Sequence, residues 1–157
     1  MGKKERRQRR REASDALYVP PTVSYDYDCS LVGVSIRPSR IVGAGDGLYV
    51  TESVLSGSCI GEYTGERRPS TNMCISSYSF DLQDGNYIDA LAYPRSVIAM
   101  VNDSRDLKRG GLVYPYNCEF RVQEVCGARR CYLYALVDIP AGGELYVDYG
   151  PDYWKYR

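Results

Sequence analysis

Short apolar runs separated by turn-forming residues fill the sequence from Leu31 onward. The runs are rich in Val, Ile, Leu and Tyr, and few are long enough for a helix, which is typical of β-strands. They predict strands at Leu31–Ile36, Gly47–Thr51, Cys59–Thr64, Ser77–Leu82, Tyr87–Ile88, Cys118–Val125, Cys131–Leu136 and Leu145–Val147. The pattern therefore predicts a mainly β fold made of several small sheets.

A helix is predicted only at Pro94–Met100, where a proline occupies the first position of a turn or two. Upstream, residues 13–30 are polar and rich in Tyr, Asp and Pro, and Pro20-Pro21 prevents a helix. We interpret residues 13–30 as a linker or an N-terminal arm laid over the domain. The prediction is thus a tail at 1–12, this arm, a folded domain at 31–150 and a C-terminal cap segment at 151–157.

Composition limits the classes of protein that fit this pattern. The 157 residues are 44% hydrophobic, enough for the core of one domain, and they contain no long apolar run. We therefore expect no membrane span, and the highly charged N-terminus is unlike a signal peptide. The six cysteines form no C-x-x-C pair and histidine is absent, so we expect neither a structural metal nor an imidazole base. Scattered cysteines without a signal peptide indicate reduced thiols in an intracellular protein.

Charge is balanced over the whole chain but not along it. Met1–Glu12 holds seven Lys or Arg and two Glu, which leaves 13 basic and 18 acidic side chains, a net charge of −5, in the rest. A basic tail favours nuclear targeting or contact with nucleic acid or nucleosomes, and an acidic body favours a basic protein partner. A solvated tail that binds nothing is the alternative. We expect a nuclear location, with the cytoplasm as the alternative.

Three segments contain residues that could bind a ligand or take part in catalysis. Glycines alternate in Val42–Val50, which does not match a dinucleotide-binding fingerprint but exposes backbone groups to a ligand, unless it is only a hairpin turn. Asn102-Asp103-Ser104 follows an apolar run, where a turn or helix cap is the alternative. Tyr149 ends the last predicted strand beside Gly150, where it is either a functional residue or an aromatic plug.

Six motifs, taken in order, resemble those of the SET-domain lysine methyltransferases. They are Gly45–Tyr49, Ile60–Glu66, Tyr87–Ala90, Val101–Ser104, Asn117–Cys118 and Gly143–Gly150. The resemblance extends over Leu31–Trp154, nearly the whole chain outside the tail. It implies the SET-domain β-clip fold, in which the C-terminal segment passes through a loop near Asn102 and forms a pseudoknot, an arrangement rare among folds.

The resemblance also implies S-adenosyl-L-methionine as methyl donor. The backbone of the family segment matching Gly45, Asp46, Gly47 and Leu48 holds the amino-acid end of the donor. The residues matched by Asn102 and by the backbone of Asp103 hold the rest of it. An aromatic residue at the place of Trp154 often covers the adenine, although a lone tryptophan that closes the core is the alternative.

Methyl transfer to lysine demands orientation and a neutral amine more than a strong base. The resemblance implies that Tyr149 is the catalytic tyrosine, assisted by Tyr63, that Tyr63 and Phe120 line the lysine slot, and that Asp89 and Val147 contribute to substrate binding. A basic substrate such as a histone tail is implied. Phe120 has no hydroxyl and Val147 is small, so neither can anchor a water, and we expect methylation beyond the monomethyl state. A core role for Phe120 is the alternative.

The sequence departs from the family pattern at three places. The family has Asn-His-Ser-Cys where this chain has Asn102–Arg105, and Gly-Asn where it has Arg95-Ser96. No cysteine-rich segment follows Gly150, so the post-SET zinc element is not expected. These departures motivate a second hypothesis, a donor-free SET-like module for chromatin interaction.

Overall fold

The computed structural model describes residues 23–71, 76–92 and 94–155. The tail predicted at 1–12 and most of the arm predicted at 13–30 lie outside the described residues. The strands are β1 (Tyr25–Asp26), β2 (Val34–Pro38), β3 (Asp46–Val50), β4 (Cys59–Glu62), β5 (Glu66–Pro69), β6 (Ser79–Asp81), β7 (Asn86–Asp89), β8 (Arg95–Ser96), β9 (Cys118–Val125) and β10 (Ala128–Ala135). A 3-10 helix, η1, covers Val97–Met100, and a short helix, α1, covers Pro151–Lys155.

The strands form four small sheets. Two are three-stranded, with the orders β4-β10-β9 and β5-β7-β6, and the others pair β2 with β3 and β1 with β8. All pairs are antiparallel except β1 with β8, which is parallel. The prediction of a mainly β fold of several small sheets is confirmed.

The core lies where the faces of these sheets meet η1. In β10, Cys131, Leu133 and Ala135 are buried while the residues between them are partly exposed, as expected for one face of a strand. η1 contributes Val97 and Ile98, both fully buried. A fully buried aliphatic side chain stabilises the fold by about 1.5–3 kcal/mol relative to an exposed one, so this layer fixes η1 and the residues that follow it.

Two predicted elements differ from the structure. The helix predicted at Pro94–Met100 begins instead as strand β8, because the Arg95 N–H donates to Ser24 O at 2.8 Å and β8 pairs with β1. The strand predicted at Leu145–Val147 is not continuous. Tyr146 within it and Glu144 just before it make only isolated bridges, to Asn102 and to Tyr49 respectively. Both errors have one cause, since the partners of these segments are distant in sequence.

The segment around Tyr146 and Val147 passes between two other parts of the chain. The Val147 N–H donates to Asn102 O at 2.9 Å on one side. On the other side, Asn117 donates from Nδ2 to Glu144 O and accepts at Oδ1 from Tyr146 N, both at 2.8 Å. The C-terminal segment is therefore held from both sides, as the expected pseudoknot requires. No helix in the described part of the chain has the length and apolarity to cross a membrane.

Candidate functional site

A cavity of about 560 Å3 lies between the start of β3, the end of η1 and the C-terminal segment. Its volume is within the usual range for small-molecule sites. The lining residues are Val23, Tyr25, Ala44, Gly45, Asp46, Tyr63, Ser77, Tyr78, Ser79, Phe80, Arg95, Ala99, Met100, Val101, Asn102, Asp103, Phe120, Asp148, Tyr149, Tyr153 and Trp154. Residues far apart in sequence therefore share one space.

Most of the residues singled out in the sequence meet in this cavity. Those that line it are Gly45, Asp46, Tyr63, Asn102, Asp103, Phe120, Tyr149 and Trp154. Gly47, Leu48, Asp89 and Val147 do not line it. The structure thus separates the proposed set into a group at the cavity and a group behind it.

The residues that do not line the cavity contribute to the core or to turns. Leu48 and Val147 are fully buried in the core. A Cβ added at Gly47 would overlap the carboxylate of Glu144, so glycine is needed there for packing. Asp89 is buried and accepts hydrogen bonds from Ser76 Oγ at 2.6 Å and from Leu91 N at 2.9 Å. Val147 therefore does not shape the cavity wall, and Asp89 fixes the turn before β6.

Three aromatic rings form one wall, which we call the aromatic slot: Tyr63, Phe80 and Phe120. Their ring centroids lie 5.2–5.8 Å apart in tilted and edge-to-face arrangements. The Tyr63 hydroxyl donates to Tyr78 O at 2.6 Å, which fixes the ring. The slot is therefore rigid and apolar, apart from one oriented phenol.

Tyr149 stands beside the slot with a fixed hydroxyl. That hydroxyl donates to Val101 O at 2.6 Å, and the Tyr149 N–H donates to Asp103 Oδ2 at 2.9 Å. Burial is the main reason that the pKa of Tyr149 and the pKa of Tyr63 are raised well above their ordinary value. Both phenols are therefore protonated and neutral at neutral pH.

The Asp103 carboxylate connects the cavity to the C-terminal helix. It is 6% exposed and accepts four hydrogen bonds. Oδ1 accepts from Arg105 N at 2.8 Å and from the Tyr116 hydroxyl at 2.9 Å. Oδ2 accepts from Tyr149 N and from Trp154 Nε1, both at 2.9 Å. Asp103 thus has a side-chain function that the family pattern, with histidine at this place, does not predict.

α1 closes one side of the cavity with aromatic rings. The centroids of Tyr153 and Trp154 lie 4.5 and 6.0 Å from that of Tyr149, and 4.9 Å from each other. Trp154 is partly exposed and lines the cavity, so it is more than a plug in the core. An aromatic surface here suits a flat, heteroaromatic ligand.

The glycine segment forms one rim of the cavity. Asn102 Nδ2 donates to Asp46 O at 2.9 Å and so fixes the backbone between Gly45 and Gly47. Gly45 has a φ of 73°, a conformation that favours glycine. Because Asn102 holds the Asp46 carbonyl, the rim presents backbone groups of constant orientation to the cavity.

Sequence reasoning missed four prominent lining residues: Tyr78, Phe80, Arg95 and Tyr153. The first two were inside the predicted strand Ser77–Leu82, and their spacing of two places them on one face, which was the available signal. In the sequence, Arg95 stands out only as a departure from the family pattern. Its guanidinium lies 4.0 Å from the centroid of the Tyr78 ring, and its buried Nε has no hydrogen-bond partner in the described part of the chain.

Metal chemistry has no visible basis in the described ranges. No group of three or more His, Cys, Asp or Glu residues is placed there to hold a metal ion. The described cysteines are free thiols, and burial raises the pKa of Cys118 to about 12 and raises that of Cys131 as well. Such thiols stay protonated and are poor metal ligands.

Comparison with known proteins agrees with this geometry. A family model for the SET domain matches residues 45–150. The chain is 29% identical over 154 residues to histone-lysine N-methyltransferase EZ3 of Zea mays, covering 87% of this chain and 16% of that protein. It is 32% identical over 114 residues to the H3 lysine-4 specific histone-lysine N-methyltransferase of Saccharomyces cerevisiae, covering 66% of this chain and 10% of that protein. The chain thus spans a small part of both relatives.

A solved structure shares the fold. It is the Chaetomium thermophilum polycomb repressive complex 2 in an autoinhibited conformation bound to S-adenosylmethionine. The match has a TM-score of 0.62 and 25% identity, and it covers 80% of this chain and 16% of the other. The SET fold expected from the sequence is confirmed. Since the family model covers most of the chain, this protein belongs to the SET domain family.

Proposed function

We propose that this chain is an S-adenosyl-L-methionine-dependent protein-lysine methyltransferase that acts on histone lysine. The observation that carries the proposal is the single cavity that joins the glycine rim, Asn102, Asp103 and Tyr149 to the aromatic slot. Family membership and the names of the two curated relatives support the same activity.

The residues present fit the donor. The fixed backbone at Gly45 and Asp46 offers hydrogen-bonding groups to its amino-acid end, and Trp154 offers an aromatic face to its adenine. Asp46, Asp103 and Asp148 line the cavity, and carboxylates favour a cationic ligand. When bound, the donor supplies a methyl group on a positively charged sulfur. Asp103 does not need to touch the donor with its carboxylate, because that group is already used to hold Tyr149 and Trp154.

Tyr149 and the aromatic slot fit the other reactant. A lysine amine must be neutral to attack, and an apolar slot lowers its pKa by desolvation. The hydroxyl of Tyr149 is protonated and points at a backbone carbonyl, so it does not act as a strong base. We assign it to orientation of the reacting groups, with Tyr63 as the wall of the lysine channel and a second oriented phenol.

In this proposal the net acidic charge outside the tail favours a basic substrate, and Phe120 determines how many methyl groups are added. An acidic body favours a basic peptide, and both curated relatives are named histone-lysine methyltransferases. Phe120 contacts Tyr63 edge to face at 5.7 Å and brings no hydroxyl to the slot. A methylated nitrogen can therefore turn beside it without displacing a bound water, so we propose that the reaction passes the monomethyl state. Val147, which the family resemblance also assigns to substrate binding, lies in the core and has no part in this proposal.

We further propose that the basic residues Met1–Glu12 direct the protein to the nucleus and contact nucleosomal DNA. The support is their composition, since clustered lysine and arginine bind phosphates. Removal of residues 1–12 should weaken binding to nucleosomes and leave methylation of a short peptide unchanged.

Mass spectrometry of core histones incubated with the protein and S-adenosylmethionine tests the function. We expect dimethyl- or trimethyl-lysine to accumulate over a full time course, and Phe120→Tyr to move the product toward monomethyl-lysine. Monomethyl-lysine alone from the wild type would remove the product proposal. No methylation and no donor binding would favour the donor-free interaction module instead.

A further inference from the structure

The charged side chains that line the cavity are mostly acidic. Among the described lining residues, Arg95 is the only Lys or Arg, whereas Asp46, Asp103 and Asp148 are acidic. Two of these carboxylates are already used, since Asp103 accepts four hydrogen bonds and Asp148 pairs with Arg105 at 3.4 Å. One cation with a buried and unpaired Nε therefore stands in an otherwise acidic cavity.

The guanidinium of Arg95 is held in place without an ion pair among the described residues. Strand β8 fixes its backbone, because Tyr25 and Arg95 are register partners in the parallel pair β1–β8. The Tyr78 ring lies under the guanidinium at 4.0 Å, which stabilises the cation and orients its plane. A buried N–H donor without an acceptor costs about 1–3 kcal/mol, so an acceptor bound at Arg95 would stabilise this arrangement.

Asp46 lines the same cavity as Arg95. Burial raises the pKa of the Tyr25 phenol, Asp46 raises it further and Arg95 lowers it, so both charged groups act on one hydroxyl. A carboxylate and a guanidinium near one phenol match the two charges of an α-amino acid, with its carboxylate toward the guanidinium and its ammonium toward the aspartate. Tyr25, Asp46 and Arg95 all line the cavity.

We propose that Arg95 binds the α-carboxylate of the methyl donor. The proposal rests on the methyltransferase function given above and adds the residue that selects a donor with an amino-acid end. Arginine suits this task because its planar fork donates two parallel hydrogen bonds to a carboxylate. The family pattern has glycine at this place, so the contact belongs to this chain and not to the family in general.

Calorimetric titration of the full chain with two ligands tests the inference. The ligands are S-adenosylmethionine and its decarboxylated analogue, which lacks only the carboxylate. A hydrogen-bonded charge pair changes affinity by about 10- to 100-fold, so wild type should prefer the carboxylated donor by that factor. Arg95→Met should lose this preference and bind the decarboxylated analogue within about threefold of wild type.

A matched control separates the contact from a general effect of losing arginine. Arg121 also stacks on a tyrosine, with its guanidinium 4.3 Å from the Tyr134 ring, and it does not line the cavity. Arg121→Met should therefore bind both ligands as wild type does. The wild-type comparison of the two ligands needs no variant, so equal binding of both would overturn the role of Arg95 even if Arg95→Met folds poorly.

The outcomes distinguish this inference from the proposed function. Wild type that binds both ligands equally, or Arg95→Met that keeps the preference, would overturn the role of Arg95 and leave the donor site standing. Wild type that binds neither ligand would overturn the proposed function together with the inference.

Discussion

Two buried carboxylates, Asp103 and Glu144, accept the same number of hydrogen bonds but have different effects on the molecule. Both accept four hydrogen bonds, at exposures of 6% and 2%. Glu144 accepts from Ser39 Oγ at 2.6 Å, from Arg40 N at 2.9 Å and from the hydroxyls of Tyr49 and Tyr146 at 3.2 and 2.8 Å. It thus ties the turn after β2 to the C-terminal segment.

The difference lies in the donors and in the location. Three of the four donors to Asp103 are N–H groups, which cannot accept a hydrogen bond, whereas three of the four donors to Glu144 are hydroxyls, which can. Asp103 lines the cavity and Glu144 does not. We therefore expect Glu144 to tolerate replacement by an amide that keeps the fold, whereas Asp103 is tied both to the fold and to Tyr149.

The largest effect on stability should follow Asp103→Ala, which removes the acceptor for Tyr149 N and Trp154 Nε1 together. Each buried donor left unpaired costs about 1–3 kcal/mol, and each kcal/mol lowers the melting temperature of a domain of this size by about 2–4 °C, so two unpaired donors should lower it by about 4–24 °C. Turnover should fall by about tenfold or more because Tyr149 loses its fixed orientation. Trp154 is the only tryptophan, so its fluorescence reports the release of α1 directly. Unchanged emission and turnover would show that Asp103 does not position these residues.

A smaller and sharper effect should distinguish Asp103→Asn from Glu144→Gln. At Asp103 an amide NH2 always faces at least one N–H donor, whichever way it is turned, because Oδ1 accepts from Arg105 N and Oδ2 from Tyr149 N. At Glu144 the NH2 can face Ser39 Oγ and leave the other three donors satisfied. We expect Asp103→Asn to cost about 1–3 kcal/mol and Glu144→Gln less than about 1 kcal/mol in urea unfolding. Equal costs would contradict the donor argument.

The smallest effect should come from moderately alkaline pH. The surroundings of Asp103 and those of Glu144 should respond to it in the same way. Burial and the Asp103 carboxylate raise the pKa of Tyr116 to about 12, and burial with Glu144 raises the pKa of Tyr146. Since the folded pKa exceeds the unfolded value of about 10, the phenols stabilise the fold fully below that pH and lose the contribution as the pH rises through their folded pKa. A titration of tyrosinate absorbance should therefore lag in the folded protein behind that in urea. Coincident curves would contradict the burial of these phenols.

Most of the strands, and eight of the 21 residues that line the cavity, were predictable because they depend on local patterns. Strand periodicity located β9 and β10 within a few residues, and ordered motifs located Tyr149, Tyr63 and Asn102. The role of Arg95 was not predictable, because it depends on β1, Tyr78 and Asp46, which are distant in sequence. The same holds for the Asp103 carboxylate. Its four donors come from residues 105 to 154, and no local pattern indicates that they meet.

The central claim is that the cavity binds a methyl donor and that the Tyr149 hydroxyl orients its transfer to lysine. The most direct test measures donor affinity and methyl transfer for wild type and Tyr149→Phe side by side. Tyr146→Phe serves as the control, because it also removes a buried phenol that donates a hydrogen bond, here to Glu144, but outside the cavity. Removing one oriented group at the reacting centre should lower turnover by about 100-fold or more in Tyr149→Phe, with donor affinity changed by less than about threefold. Turnover in Tyr149→Phe equal to that of wild type, or a wild type without methyl transfer, would contradict the account.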